Sequence, residues 1–189
     1  MDSLLSTEKE AVGESPSQRP APASPLWSNI FASGASRKDV DAATSKLLKQ
    51  IPVFEELRRR ELAAVTRILY ERYYQADELI FHQDDPGLGM YIIVQGRIAI
   101  VREPARELLA ELHDGDFFGE MALLDELPRS ATAIARTPSR VLGFFQPELF
   151  GLIERNPQLG VKIVLRLARI IGQRLRVMDE RIHAAAGKA

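Results

Sequence analysis

A mainly β domain with helices at both ends is the fold class that this 189-residue sequence predicts. Two observations carry that expectation. Between residues 79 and 145 five short runs, "LIFHQ", "MYIIVQGRIAIV", "RELLAEL", "ATAIAR" and "RVLGFF", read as strands separated by turn signals such as "DDPGLG" and "DG". Before Tyr74 and after Pro157 the apolar residues recur instead at spacings of three and four, the period of a helix. Many short strands at this spacing favour a sandwich or a barrel.

In chain order, residues 1–40 are rich in Ser, Ala and Pro, as in "ESPSQRPAPASP", and carry too few large apolar groups to offset the entropy of ordering them. A disordered arm is expected there. Within it residues 25–31, "PLWSNIF", hold the sole tryptophan, Trp27, with Ile30 and Phe31 following at helical spacing. That segment reads as a peptide docking on an effector protein, as a piece folding back on its own domain, or as apolar scatter. Residues 41–156 make the domain. Its first part is helical, with Leu47, Leu48 and Ile51 running to a break at Pro52, and Leu57, Leu62, Val65 and Leu69 continuing as short helices on one edge. After Tyr74 the strands begin, and Gln95-Gly96 divides two β-rich runs as a two-residue hairpin turn would.

Residues 157–183 predict one long helix with two apolar stripes, followed by a tail over 184–189. Val164, Ala168, Ile171, Leu175, Met178 and Ile182 alternate spacings of four and three, a heptad seam. Beside it Ile163, Leu167, Ile170 and Val177 form a second stripe. With one stripe on the β-domain and the other on a second copy, the expectation is a homodimer through this helix; the alternative is a single broad face buried in one monomer. Lys162, Arg166, Arg169 and Arg176 read as a solvated face.

Composition removes several function classes. A formal net charge of −1 leaves no basic excess for general nucleic-acid binding. The absence of cysteine excludes disulfides, thiolate metal sites and thiol redox sensing. No basic start precedes an apolar core, and no uncharged apolar run approaches the roughly 18 residues of a membrane span, so a cytoplasmic protein is expected.

One stretch carries chemistry. "HDGDFFGEMALLDELPRSATAIA" reads as a turn, a Gly-Glu pair, one apolar helical turn, a loop, then Pro-Arg-Ser-Ala-Thr leading into a strand. Gly119 at the start of a helical turn lets a ligand approach N–H groups that have no partner inside the helix, and these favour an anion such as phosphate. Arg129 adds a planar fork for two phosphoryl oxygens. Glu120 would be repelled by that phosphate, so it must face a hydrogen-bond donor such as a sugar hydroxyl. An anion beside a hydroxyl describes a nucleotide.

The run "FGEMALLDELPRSATAIA" resembles the phosphate-binding cassette of cyclic nucleotide-binding domains, as in regulatory subunits of cAMP-dependent protein kinase and Crp/Fnr-type regulators. Gly119, Glu120, Ala122, Pro128, Arg129, Ala131 and Thr132 fall at the family spacing without gaps. "DDPGLGMYIIVQGRIAIV" is similar to the family's second and third strands and "RIIGQRLRVMDERI" to its C-terminal helix, so the resemblance covers residues 45–183. It implies an eight-stranded jelly-roll β-barrel, a double-stranded β-helix, flanked by helices. It further implies that Glu120 holds the ribose 2′-hydroxyl, that Arg129 pairs with the cyclic phosphate, and that N–H groups near Gly119 and Ala122 complete the cradle. Ser130 would sit beside phosphate and base, and Met121, Ala131 and Thr132 belong to the same ligand-binding stretch.

The sequence departs from the family at three places. Asp84 stands where a turn glycine is common, and Asp tolerates a left-handed conformation better than most residues; Leu88 stands where Asp is frequent; and Met178-Asp179 replaces hydroxyl residues that contact adenine. Arg174 interrupts the barrel-side stripe, and it either stacks on the purine or snorkels into solvent. Ser130 leans toward cAMP as ligand, with cGMP possible. Only seven residues follow Ile182, too few for the family's DNA-reading segment, so a signal is expected to pass to an effector by movement of the C-terminal helix or the N-terminal arm. The competing reading is a degenerate domain kept as an oligomerisation or docking module. Catalysis is not expected: a related barrel enzyme would need clustered metal ligands, and His82, His113 and His183 are scattered.

Overall fold

The computed structural model describes residues 37–186; the arm up to residue 36, its 25–31 segment, and residues 187–189 lie outside them. Two strands in the middle of the domain, β3 (Gly89–Gln95) and β8 (Ser139–Phe145), are apolar on both faces, and the rest is built around them. Successive side chains of a strand point to opposite faces. Met90 and Ile92 of β3, with Leu142 and Phe144 of β8, therefore join the core formed with the helices. Ile93 and Val141 turn the other way, into a smaller core shared with Ile98, Phe118, Ala133 and Ala135. A sheet covered on both faces needs such continuous apolar runs, which is why "MYIIV" and "VLGFF" show no polar alternation.

The remaining elements are α1 (Arg37–Leu48), α2 (Arg59–Thr66), β1 (Tyr70–Tyr74), β2 (Leu79–Phe81), β4 (Ile98–Arg102), β5 (Glu107–Leu112), β6 (Phe117–Phe118), a 3₁₀ turn (Glu120–Leu123), β7 (Thr132–Ala135), α3 (Gln146–Arg155) and α4 (Pro157–Ala186). The eight strands pair antiparallel in two four-stranded sheets, in the orders β1-β8-β3-β6 and β2-β7-β4-β5. The architecture is mainly β with flanking helices, and the described residues hold eight strands, the number expected. Closure into a barrel is not seen: the pairings among the described residues join strands only within each sheet.

Several elements differ from the sequence reading. Gln95-Gly96 is not a hairpin turn, because β3 and β4 belong to different sheets and the chain crosses between them there. Gly96 has φ +114°, and a Cβ on it would lie 2.2 Å from Ser139 Oγ, so this crossing requires glycine. The strands begin earlier than expected, since "YERYY" is β1. Its charged composition hides it; among the described residues it is an edge strand paired with β8, with an ion pair from Glu71 to Arg140. Helix α3, which the periodicity did not separate from the preceding strand, buries only Leu149 and Leu152, too little to mark it. Helix α1 starts at Arg37, inside the segment expected to be disordered, and α4 continues to Ala186, beyond residue 183.

Helix α4 also divides its apolar residues differently from the predicted seam. Ile163 and Leu167 are fully buried and Val164 and Ile170 pack against the same core. Of the seam residues, Ile171, Leu175 and Met178 face a cavity of this same chain. The most exposed large apolar residues of its first half are Val161 and Leu165. The basic face is not simply solvated: Lys162 pairs with Glu61 of α2 at 2.5 Å, and Arg166 pairs with Glu55 and Glu56 in the α1–α2 connection. No described helix is long and apolar enough to cross a membrane.

Candidate functional site

Between the 3₁₀ turn, the β4–β5 edge and α4 lies a cavity of about 540 Å³. That volume is in the range of small-molecule sites, roughly 300–1,000 Å³. Its wall on the sheet side is built from Phe81, Ile100, Ala110, Leu112 and Phe118; the loop from Gly119 to Ala131 lines its floor, and Ile171, Arg174, Leu175 and Met178 of α4 face them.

Gly119 shapes the floor. It caps the 3₁₀ turn in the left-handed region, φ +73°, which costs glycine nothing and other residues roughly 1–2 kcal/mol. A Cβ here would lie 2.6 Å from Arg129 Nη1, so a side chain at this position would displace the guanidinium. The turn then buries Ala122 and Leu123 and closes with the Leu124 N–H donating to Met121 O at 2.8 Å.

Arg129 is 6% exposed. Its backbone is gripped by the β2–β3 loop: its N–H donates to Asp85 O, and the Asp84 N–H donates to Arg129 O, both at 2.9 Å. Asp84 adopts φ +69° in doing so, the left-handed turn anticipated for this substitution. The guanidinium carbon lies 4.1 Å from the centroid of Phe81, and Nη1 donates to Gly119 O at 3.2 Å. Nε has no partner, and among the described residues no carboxylate comes within 4.0 Å of this cation. Burial lowers its pKa, against which Tyr91, Asp85 and Glu120 act in the opposite direction. A buried guanidinium without an ion-pair partner is costly, and an anion in the cavity would remove that cost.

Glu120 is 5% exposed and accepts a 2.5 Å bond from Arg174 Nη1 of α4. The Arg174 guanidinium also sits 4.9 Å from the Phe117 ring centroid. Its head is thus anchored on Glu120 while the side chain lines the cavity and stays 49% exposed, so it is not simply a free surface cation. Of the nine predicted ligand residues, Gly119, Glu120, Met121, Ala122, Arg129, Ser130, Ala131 and Arg174 all line this one cavity. Thr132 does not: it is buried behind the wall, and its Oγ1 accepts the Gln83 N–H at 2.9 Å. Sequence reasoning missed the apolar wall of Phe81, Ile100, Ala110 and Leu112, the Asp84-Asp85 clamp and Asp125, which also lines the cavity. The wall residues were visible only as one face of strands; their convergence needs the sheet pairing. Among the described residues His, Asp and Glu nowhere gather in the groups of three or more that could hold a metal ion.

The class that this fold and cavity define is a mainly β ligand-binding domain with flanking helices. This chain matches the family model of the cyclic nucleotide-binding domain over residues 71–156. It is 33% identical over 135 residues to the cyclic AMP receptor protein of Thermus thermophilus, covering 70% of this chain and 61% of that one. A cyclic nucleotide-gated potassium channel of Rhizobium etli is 30% identical over 141 residues, 73% of this chain and 39% of the channel. The crystal structure of the Thermus thermophilus catabolite activator protein superposes with a TM-score of 0.64 at 31% identity, covering 71% of this chain and 63% of that one. This chain thus spans less than two thirds of each of these relatives.

Proposed function

We propose that the protein is a cyclic nucleotide sensor that binds cAMP and hands the signal to a partner molecule by repositioning α4 or the N-terminal arm. The observation that supports this reading is Arg129, a buried cation with no ion-pair partner within 4.0 Å among the described residues, set on a cavity of about 540 Å³ beside a buried carboxylate. The cyclic phosphate is assigned to Arg129 and to the N–H groups near Gly119 and Ala122, and the ribose 2′-hydroxyl to Glu120. The base then extends toward Ile100, Ala110 and Leu112 on one side and Leu175 and Met178 on the other, with Ser130 near it. Ser130 is the residue that inclines the assignment to cAMP over cGMP. The names of the Thermus and Rhizobium relatives support a cyclic nucleotide ligand.

Homodimerisation is assigned to α4. The exposed Val161 and Leu165, with Ala168 and Gly172, recur at spacings of four, three and four, a stripe shifted by three residues from the seam first inferred.

The test is thermal unfolding with cAMP, cGMP and 5′-AMP. Ligand at about 100 times its dissociation constant contributes ~2.7 kcal/mol, which for a domain of this size raises Tm by about 10 °C. A rise with cAMP that exceeds the rise with cGMP, and none with 5′-AMP, is the expected pattern. If no cyclic nucleotide moves the transition, the chain is not a sensor of this class.

A further inference from the structure

How Arg129 is held decides which part of its head group a ligand can use. The segment from Phe81 to Tyr91 grips it three times. Asp84 and Asp85 in the loop bond its backbone, and the rings at the two ends take its side chain, with the guanidinium carbon 4.1 Å from the Phe81 centroid and 5.9 Å from that of Tyr91. Phe81 is itself fixed by rings: Tyr91 and Phe118 each pack on it with centroids 5.9 Å away, and those two stack on one another at 5.4 Å. Phe81 comes from β2 in one sheet and Tyr91 and Phe118 from β3 and β6 in the other, so the cluster spans both sheets. A guanidinium on a ring face is attracted by the negative face of the ring and uses none of its five N–H groups in that contact. A carboxylate partner would instead occupy the N–H edge, in the same fork that a phosphate needs. The head group of Arg129 makes one described hydrogen bond, from Nη1 to Gly119 O, and both Arg129 and Phe81 line the cavity.

We propose that Phe81 is a positioning residue for the anion: its ring face seats the Arg129 charge and leaves the N–H edge free, so that phosphate affinity depends on the electron density of the ring at position 81. The inference rests on the assignment of Arg129 to the cyclic phosphate. It separates two roles that Phe81 could have, an apolar wall that touches the ligand and a seat that acts through Arg129. A wall needs only bulk and apolar surface, whereas a seat needs a negative ring face. The seat also accounts for a cation that is 6% exposed: the ring supplies part of the compensation that burial removes, and an arriving anion supplies the rest.

The experiment replaces Phe81 in the full chain with phenylalanines bearing progressively more fluorine, which nearly keep the shape of the ring while draining its face of electron density. Affinity for cAMP is measured by calorimetry, and the Tm of the unliganded chain is measured beside it. Affinity should fall with each added fluorine, reaching about fivefold or more for the most fluorinated ring, the size of a partly desolvated cation–π contact. Phe81→Leu should lose at least as much, and Phe81→Tyr, which keeps the ring face, should bind as the unsubstituted chain does. The unliganded Tm should fall along the same series, and that trend should vanish in an Arg129→Leu background, where no cation is left to seat. An affinity that does not respond to fluorine would reduce Phe81 to an apolar wall and overturn the proposal. A Tm trend that survives Arg129→Leu would overturn it as well, by assigning the effect to packing on Tyr91 and Phe118. Absence of cAMP binding by the unsubstituted chain would bring down the sensor reading, and the role of the seat with it, even where the Tm series shows the ring holding Arg129.

Discussion

The two walls of the cavity are built to different standards. On the sheet side Arg129 is 6% exposed, clamped by two backbone hydrogen bonds from the β2–β3 loop and packed on Phe81. On the helix side Leu175 and Met178 are 60% and 56% exposed, and the described polar tie from this part of α4 to the site is Arg174 to Glu120. The same helix is firmly held nearer its start, where Leu159, Ile163 and Leu167 are buried and Lys162 and Arg166 pair with Glu61, Glu55 and Glu56. The Arg129 side is thus rigidly built, whereas the facing helix is anchored at one end and loosely packed at the other. Segments with few buried contacts open at low free-energy cost, so the motion available to this domain belongs to the distal part of α4.

The contrast can be broken at its strongest point first. Leu167→Ala at the root of α4 should cost about 2–5 kcal/mol in urea unfolding, the usual range for emptying a packed core position. Leu175→Ala in the distal part should stay within about 0.5 kcal/mol, as exposed positions do. Equal costs would mean that the distal helix is as tightly built as the root. Arg129→Leu should abolish the ~2.7 kcal/mol that saturating cAMP contributes, while leaving the unliganded Tm unchanged or higher, because a buried unpaired charge has gone; undiminished cAMP stabilisation of this variant would refute the phosphate assignment. Gly119→Ala should cost about 1–2 kcal/mol from its positive φ and, by pushing the Arg129 guanidinium aside, weaken cAMP binding as well; calorimetric binding alongside the melt separates the two effects. The smallest effect concerns the α4 dimer. A Cβ on Gly172 meets nothing within 4 Å, so Gly172→Ala should stabilise a lone chain by about 1 kcal/mol through helix propensity. The dimer assigned to this stripe predicts the opposite, a loss of stability together with a later elution volume on sizing, and stabilisation with unchanged elution would count against it.

Much of the candidate site was legible in the chain because it is local. Gly119, Glu120, Arg129 and Ser130 lie within a dozen residues, and the features that bring them together, a left-handed glycine, a short 3₁₀ turn and a strand resuming after Pro128, leave marks at neighbouring positions. The long helix was legible for the same reason, since its period is written in consecutive turns. Less was visible where a residue's role depends on a distant one. Asp85 reads as a loop acid until its carbonyl is found holding the Arg129 N–H, and Thr132, which sits at the family spacing, turns its hydroxyl to Gln83 rather than to the cavity.

By itself, then, the sequence determined the strand-rich middle of the chain, the long C-terminal helix and the clustering of Gly119, Glu120, Arg129 and Ser130, because short-range sterics and side-chain chemistry act between near neighbours. Only the tertiary structure decided that β3 and β4 part into separate sheets at Gly96, that Ile171, Leu175 and Met178 look into the cavity of their own chain, and that Arg174 spends its charge on a carboxylate 54 residues away. These outcomes depend on which faces bury each other across the fold, and periodicity shows that a face is apolar without showing what will cover it.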